Sequence, residues 1–153
     1  MSEPLRQVPS GTETTLVLRK ASRAIDRKAI LSIEETGLCF SDFAVLEALL
    51  HKGPLPVNVL GKKVFLTTGS ITTAVNRLAS RGLVKRQDAT GDRRIRIVHL
   101  TDLGHTVIRP LFARHAQDLD LLVSILTAEE RMTLVALLRK LGTSVDGLNS
   151  TNK

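Results

Sequence analysis

The stretch that most constrains how this chain folds is VFLTTGSITTAVNRLASRGL, at residues 64–83. It opens on small hydroxyl residues and a glycine at 67–70, residue types that cap helix N-termini, and Gly82 supplies a helix stop. Between these ends the apolar residues recur at helical spacing: Ile71, Val75 and Leu78. The pattern predicts an amphipathic helix that begins at Thr67 or Thr68.

The opposite face of this helix carries short hydrogen-bonding side chains, one amide and two guanidinium groups, with no acidic residue. Its members are Ser70, Thr72, Thr73, Asn76, Arg77, Ser80 and Arg81. Such a face can approach a polyanion closely and hydrogen-bond to base edges and phosphates. The sequence therefore predicts a DNA recognition helix.

The positive charge of the chain is concentrated in one segment, residues 62–96. This segment has nine Lys and Arg residues against two Asp residues, which equals the whole net charge of +7. The remainder is balanced, with thirteen basic and thirteen acidic residues. A one-sign segment in an otherwise neutral chain indicates a nucleic-acid interface, the alternative being a basic surface that only aids solubility.

Helical signals also precede the recognition helix. An amphipathic helix is predicted at residues 13–35, and Ser41 and Asp42 are predicted to cap a second helix that stops at Gly53. A short third helix is predicted for residues 56–63, because proline is favoured at helix starts. Two short helices joined by so brief a link, with the second polar and basic outward, match a helix-turn-helix.

The periodicity changes from helical to alternating after Gly82. Strands are predicted near residues 83–87 and 95–99, joined by a turn at 89–92. This β-hairpin carries arginines near its tip, and a basic hairpin directly after a recognition helix is a wing. Such a wing can reach the minor groove, where narrow A·T-rich DNA attracts arginine.

Two long helices are predicted after the wing. The first runs from residue 101 to about 126, and a capping box at 127–130 starts the last helix, which ends near Asp146 ahead of a fraying tail. Their leucine stripes exceed what one short winged domain can cover, so they are predicted to pack against a second copy of the chain. The alternative is a monomer whose terminal helices form a private bundle.

The predicted fold is mainly α, an α+β winged helix of six helices with a two-stranded β-hairpin wing. Residues 37–101 are predicted to form the winged helix-turn-helix DNA-binding domain, and residues 1–36 and 102–153 a helical dimerisation region. A two-fold dimer places two recognition helices about 34 Å apart, which implies a near-palindromic DNA site.

Composition excludes several other classes of protein. Aromatic residues make up 3% of the chain, with no Trp or Tyr, which argues against the stacking platforms of RNA- and single-strand-binding proteins. The single cysteine, and the lack of a signal peptide or long apolar run, predict a cytoplasmic protein with no membrane contact. No phosphate-binding glycine loop, nucleophile elbow or catalytically spaced cluster stands in the sequence, so neither an enzyme nor a cofactor is expected.

Several motifs of the chain resemble those of the MarR-type winged helix-turn-helix transcription regulators, across about residues 13–145. They are FAVLEAL at 43–49, SIT at 70–72, VNRL at 75–78, RGLV at 81–84, and DRR at 92–94 followed by LTxxG at 100–104. The resemblance implies homodimeric, cytoplasmic regulators from bacteria or archaea, mostly repressors that a small molecule or an oxidant releases from DNA.

The residues predicted to bind double-stranded DNA combine this resemblance with the polar face and the charge of the segment. They are Lys62, Lys63, Thr67, Thr68, Ser70, Thr72, Thr73, Asn76, Arg77, Arg81, Asp92, Arg93, Arg94 and Arg96. The resemblance implies that Arg94 enters the minor groove and that Asp92 orients it, which a charge-assisted hydrogen bond would do. Lys62 and Lys63 stand where the family often has an acid, and they add phosphate affinity.

Cys39, the only cysteine, has two interpretations. It is either a thiol that senses oxidants or electrophiles, as in some members of the family, or a small buried hydrophobic residue. No Lys, Arg or His lies within four residues to stabilise a thiolate. Glu47 and His51 stand four residues apart and His105 and His115 ten residues apart, and no histidine pair has the close helical spacing usual for zinc ligands, so no metal site is predicted.

The resemblance also implies a cleft for a small ligand between the dimer helices and the winged domain. The residues predicted to line it are Arg23, Phe43, Leu46, His51, Leu111 and His115. An arginine beside apolar walls suits a phenol or an aromatic carboxylate, while ordinary core packing explains the same residues equally well.

The predicted function is sequence-specific regulation of transcription, as a homodimeric repressor of a near-palindromic operator. Two alternatives remain. An activator has the same fold, because polarity depends on where the operator lies relative to the promoter. An architectural protein coats or bends DNA with little sequence choice, and its specificity ratio is near one.

Overall fold

The computed structural model describes residues 8–89 and 92–150, with side chains described at 8–88 and 95–144. Its elements, in chain order, are α1 (Gly11–Glu34), α2 (Phe40–Lys52), β1 (Leu55–Pro56), α3 (Val57–Lys63), α4 (Thr68–Ser80), β2 (Val84–Ala89), β3 (Asp92–Leu100), α5 (Asp102–Leu122) and α6 (Ala128–Ser150). The described part of the chain is thus mainly helical, with three short strands.

The predicted winged-helix fold with six helices is confirmed, with different bounds at its C-terminal end. Helix α5 ends at Leu122, ahead of the predicted residue 126. The backbone of α6 continues to Ser150, past the end predicted near Asp146. The predicted turn residues at 90–91 lie outside the described residues.

The sheet has three antiparallel strands in the order β1-β3-β2, one more than the predicted two-stranded wing. In the additional strand β1, Leu55 pairs with Val98 and Pro56 with Ile97 of β3. A two-residue strand shows no alternating pattern in sequence, and proline is tolerated on an edge strand. The sheet therefore ties the base of the wing to the turn between α2 and α3.

One apolar core joins the helix-turn-helix to the wing. Its completely buried residues include Leu46 of α2, Leu60 of α3, Val75 and Leu78 of α4, and Val98 of β3. Full burial of an aliphatic side chain of this size contributes about 1.5–3 kcal/mol. The core holds the apolar face of α4 inward, which leaves its polar face outward.

Two of the predicted helix caps are confirmed. At the start of α4 the Thr67 hydroxyl accepts a hydrogen bond of 3.2 Å from the Ser70 amide. At the start of α6 the Thr127 hydroxyl accepts from the Glu130 amide at 3.2 Å, and the Glu130 carboxylate accepts from the Thr127 amide at 2.9 Å. These bonds satisfy amides that a helix start leaves unpaired.

The predicted cap of α2 at Ser41 and Asp42 is wrong. The helix begins at Phe40, and within the described chain the side chain of its N-cap residue Cys39 bonds no helix amide. Asp42 lies in the first turn, with its carboxylate buried against Arg77 of α4. A tertiary ion pair thus engages the acid that local sequence signals assign to capping.

The turn between α3 and α4 holds a non-glycine residue in the left-handed region, Phe65 at φ 55°. The Leu66 amide donates to the Gly61 carbonyl at 2.9 Å and the Phe65 amide donates to the Lys62 carbonyl at 3.4 Å, which is the Schellman pattern of a helix end. Glycine is usual at this position, because a Cβ makes left-handed backbone costly. The Phe65 ring is 96% exposed, so packing offsets little of that cost.

Thr101 locks the end of the wing to the start of α5. Its hydroxyl donates to the Gly82 carbonyl at 2.6 Å and accepts from the Gly104 amide at 3.0 Å, and its amide donates to the Leu83 carbonyl at 3.1 Å. A Cβ on Gly104 would overlap the Leu83 carbonyl. These contacts join the RGLV motif to the LTxxG motif, because Gly82 and Leu83 belong to the first and Thr101 and Gly104 to the second.

The chain divides into two compact units, with the boundary in α5 between Ala116 and Gln117. The first unit contains α1 to α4, the sheet and most of α5, and the second contains the last residues of α5 and all of α6. The predicted division into a DNA-binding domain and a dimerisation region is a functional one and stays a prediction. No helix in the described part of the chain is long and apolar enough to cross a membrane.

Candidate nucleic-acid interface

The outward face of α4 is exposed, as its polar composition predicted. From the N-cap to the C-cap the exposed residues of this face are Thr67, Thr68, Ser70, Thr72, Thr73, Asn76, Arg77, Ser80 and Arg81. The buried residues of the opposite face are Ile71, Ala74, Val75 and Leu78. The helix therefore presents hydroxyl, amide and guanidinium groups on one side only, and their contact with DNA stays a prediction.

Two threonine hydroxyls of this face donate into the helix itself. Thr72 Oγ1 donates to the Thr68 carbonyl at 2.8 Å, and Thr73 Oγ1 donates to the Gly69 carbonyl at 3.0 Å. With these protons used inside the helix, the hydroxyl oxygens remain available as acceptors beside the threonine methyl groups. Such a surface suits a cytosine amino group or a thymine methyl group in a major groove.

Asn76 is coupled to the wing through Arg86. Nη2 of Arg86, on β2, donates a hydrogen bond of 2.5 Å to Oδ1 of Asn76. The bond engages the amide oxygen of Asn76 and leaves its NH₂ group as a donor. Sequence patterns identify Arg86 only as a charge, because no local signal relates a strand residue to a helix face ten residues earlier.

Arg77 makes a bidentate ion pair with Asp42. Nε donates to Oδ2 at 2.7 Å and Nη2 donates to Oδ1 at 2.6 Å, with the Asp42 side chain 2% exposed and that of Arg77 42% exposed. The hydrogen bond to Asp42 raises the pKa of Arg77 above its ordinary value, partial desolvation opposes this, and the negative charge of Asp42 adds to it. Arg77, predicted as an outward DNA contact, is therefore a permanent cation held against α2.

Cys39 is exposed, so its interpretation as a buried hydrophobic residue is wrong. Its Sγ accepts a hydrogen bond of 3.0 Å from Nη2 of Arg77 and lies 3.3 Å from Oγ of Ser41. Arg77 is thirty-eight residues from Cys39 in sequence, so the residues that flank Cys39 give no sign of this contact. An exposed sulfur beside a cation is the setting in which reactive cysteines occur, and a sensing role stays a prediction.

A cleft of about 770 Å³ lies between α3, α4 and the wing. The basic residues of its lining are Lys62, Arg86 and Arg96, and the apolar ones include Leu66, Ile71 and Ile95. Arg96 also pairs with Asp88 across the wing at 3.0 Å, an exposed pair that contributes at most about 1 kcal/mol. The recognition helix and the wing therefore share one positively charged cleft.

The other predicted DNA-binding residues belong to α3 and to the first residues of β3. Lys62 and Lys63 are exposed in the last turn of α3. The side chains of Asp92, Arg93 and Arg94, near the wing tip, lie outside the described residues. The part of the interface that the structure describes is thus the helix-turn-helix and the base of the wing.

The six residues predicted to line an effector cleft are distributed between the core and the surface: Arg23, Phe43, Leu46, His51, Leu111 and His115. Phe43 and Leu46 are fully buried, and Phe43 packs edge to face on His115 with ring centroids 5.0 Å apart. Arg23 is exposed on α1. These positions favour the core-packing alternative for Phe43 and Leu46, and an effector role for the set stays a prediction.

Metal-ligating side chains are dispersed as well. Within the described residues, no group of three or more His, Cys, Asp or Glu side chains is arranged to hold a metal ion. The His51 ring packs edge to face on Phe112, with ring centroids 4.5 Å apart.

Comparison with known proteins identifies relatives over most of the chain. The profile of the MarR family matches residues 36–95. The HTH-type transcriptional regulator MhqR of Bacillus subtilis is 35% identical over 127 residues, which are 83% of this chain and 88% of MhqR. The regulator YkoM of the same organism is 29% identical over 126 residues, 82% of each chain.

Solved structures show the same architecture. A cysteine-to-serine variant of MarR from E. coli, crystallised with operator DNA, has a TM-score of 0.73 at 26% identity, over 83% of this chain and 91% of that one. A probable transcriptional regulator from Pseudomonas aeruginosa has a TM-score of 0.71 at 28% identity, over 83% of this chain and 95% of that one.

Proposed function

Because the chain belongs to the MarR family of transcription regulators, we propose that it binds double-stranded DNA and regulates transcription at a specific operator. The observation that carries the proposal is the exposed polar face of α4, which continues into the wing within the segment that holds the net charge of +7. Helix α4 enters the major groove, and the wing reaches the adjacent minor groove.

The groups of the interface divide between bases and phosphates. Asn76 and the threonines of α4 face base edges, where their donors and acceptors discriminate between base pairs. Lys62 and Lys63, at the end of α3, neutralise phosphates and fix the position of the helix without reading sequence. Arg94 enters the minor groove at the wing tip.

A homodimer is the proposed DNA-binding form. Its support is a set of apolar side chains exposed on α6, 41–65% accessible, which a soluble protein covers with a partner. They are Met132, Leu134, Val135, Leu137, Leu138 and Leu141. A second copy of the chain places two α4 helices about 34 Å apart on a near-palindromic operator.

Repression is the proposed polarity, with release by a phenol or aromatic carboxylate, or by an oxidant that reacts at Cys39. An oxidant is supported by the exposed sulfur beside Arg77. A variant Cys39→Ser that leaves DNA as readily as the wild type on treatment with peroxide or a quinone would remove the oxidant from this scheme.

Footprinting on the DNA upstream of the chain's own coding sequence tests DNA binding directly. A regulator protects a discrete near-palindrome and binds it roughly a thousandfold more tightly than a scrambled duplex. Equal affinity for the two duplexes at about 150 mM salt would instead support the architectural alternative. Reporter expression with and without the protein then separates a repressor from an activator.

Light scattering tests the dimer. The wild type is expected to be a dimer at micromolar concentration, and Leu137→Glu to be a monomer because it places a charge among these apolar side chains. Arg139→Glu, two residues along the same helix, is the control and is expected to stay dimeric. A monomeric wild type would contradict the proposed dimer.

A further inference from the structure

We propose that Asp42 is a positioning residue for DNA recognition that acts through Arg77, and that Arg77 itself does not bind a phosphate. The inference rests on the proposed binding of DNA by α4. It assigns Asp42 a part in the interface although this carboxylate is buried and belongs to α2.

The guanidinium of Arg77 is held by three side chains near the start of α2: Cys39, Ser41 and Asp42. Arg77 makes two hydrogen bonds of 2.6 and 2.7 Å to the Asp42 carboxylate. Its Nη2 also donates to Ser41 Oγ at 3.2 Å and to Cys39 Sγ at 3.0 Å. The planar guanidinium therefore has a defined orientation against the start of α2.

The burial of Asp42 commits Arg77 to this arrangement. A buried carboxylate is costly without a partner, and its bidentate pairing with Arg77 compensates for lost hydration. Turning Arg77 outward to a phosphate would leave the Asp42 carboxylate buried and uncompensated. The contact is therefore retained when α4 meets DNA.

The position of Arg77 explains why this contact affects recognition. It lies in the last turn of α4, next to Asn76, while the apolar core contacts of the helix are non-directional. The bidentate pair is directional, so it sets the rotation of α4 about its axis. That rotation decides where Asn76 and Thr73 stand relative to base edges.

Charge makes the inference testable, because the two partners have opposite signs. Asp42→Asn removes a negative charge, and electrostatics alone would tighten binding to DNA. Arg77→Ala removes a positive charge, and electrostatics alone would weaken it. If the pair positions α4, both changes weaken binding to the specific site.

The experiment measures Kd for two duplexes of about 30 base pairs, long enough for two half-sites and their flanks. One is the sequence that the wild type selects from a random library, and the other is its scrambled form. Asp42→Asn, Arg77→Ala and Arg77→Lys are each expected to lose about tenfold or more on the selected duplex, the scale of one lost base contact. The double variant Asp42→Asn with Arg77→Ala is expected to lose no more affinity for the selected duplex than either single variant.

On the scrambled duplex Asp42→Asn is expected to bind as tightly as the wild type or more tightly. The dependence of log K on log salt separates the roles of the arginines. Loss of one phosphate contact reduces the slope by about one, and Arg77→Ala is expected to leave the slope unchanged. Arg81 is an exposed arginine at the C-cap of α4. Arg81→Ala is therefore the matched control, and it is expected to reduce the slope by about one.

Three results would overturn the inference: an unchanged Kd for Asp42→Asn on the selected duplex, full retention of binding by Arg77→Lys, or a slope reduced by one for Arg77→Ala. Thermal melting followed by circular dichroism ensures that Kd is measured well below the unfolding temperature of each variant. If Asp42→Asn fails to fold, the Arg77 variants test the inference. A wild type that selects no sequence would contradict the proposed function instead.

Discussion

The guanidinium of Arg86 on β2 donates a hydrogen bond of 2.5 Å to the amide oxygen of Asn76 on α4. A wing residue thereby orients a residue of the recognition helix. The side-chain amide of Asn76 has an acceptor oxygen and a donor NH₂ group, and this bond engages the oxygen and leaves the NH₂ group as a donor. The wing and the helix are therefore joined in one surface. In the proposed complex with DNA, the wing affects how the helix reads bases.

Arg86→Ala should weaken operator binding and also broaden base preference. The freed Asn76 amide can rotate, so discrimination at the base pair it faces should fall by about 1–3 kcal/mol. Titration against operators substituted one base pair at a time measures this. Lys85→Ala removes the same charge from the next residue and should weaken binding with base preference intact; identical preference profiles for the two variants would refute the role of Arg86.

Lys63→Ala should weaken binding to all DNA sequences by a similar factor, because the proposed role of this exposed lysine at the end of α3 is a phosphate contact. The slope of log K against log salt should fall by about one. Filter binding over a range of salt concentrations measures both quantities. A variant that loses affinity for the operator and keeps it for scrambled DNA would indicate a base contact.

Gly104→Ala should unfold the base of the wing. A Cβ at this position overlaps the Leu83 carbonyl and lies 3.2 Å from Cδ2 of Leu100, so the expected loss in the free energy of unfolding is about 3 kcal/mol or more. Gly142→Ala is the control, because its Cβ meets nothing within 4 Å in α6, and it should stabilise the helix by about 0.5–1 kcal/mol. Urea denaturation at one fixed protein concentration compares them, and equal stability of the two variants would contradict the contact.

Phe65→Gly should stabilise the chain by about 1 kcal/mol, because glycine adopts the left-handed backbone of this Schellman turn without a Cβ penalty. Phe65→Ala keeps the Cβ and removes the ring, which is 96% exposed, so it should change stability little. Thermal unfolding of both variants separates the backbone effect from the ring. Destabilisation by both would show that the ring packs on a partner.

Local signals predicted the elements that sequence neighbours build. The Thr67 cap, the apolar spacing of α4 and the Thr127–Glu130 box all act within a few residues, so the structure confirms them. The strand β1 escaped prediction because two residues carry no period, and its pairing with β3 creates it. The predicted cap of α2 was wrong because Asp42 pairs with the distant Arg77 and not with a nearby amide.

The sequence alone determined the fold class, the exposed face of α4 and the location of the positive charge, because periodicity and charge are written in consecutive residues. The tertiary structure decided which polar side chains hydrogen-bond to a distant part of the chain. Arg77 and Asn76 look alike in sequence as exposed candidates, and Cys39 has two interpretations. Packing of α2 and β2 against α4 pairs each of the three with a side chain ten to thirty-eight residues away. Hydrogen-bond partners at that separation depend on how elements meet in space, which no local pattern records.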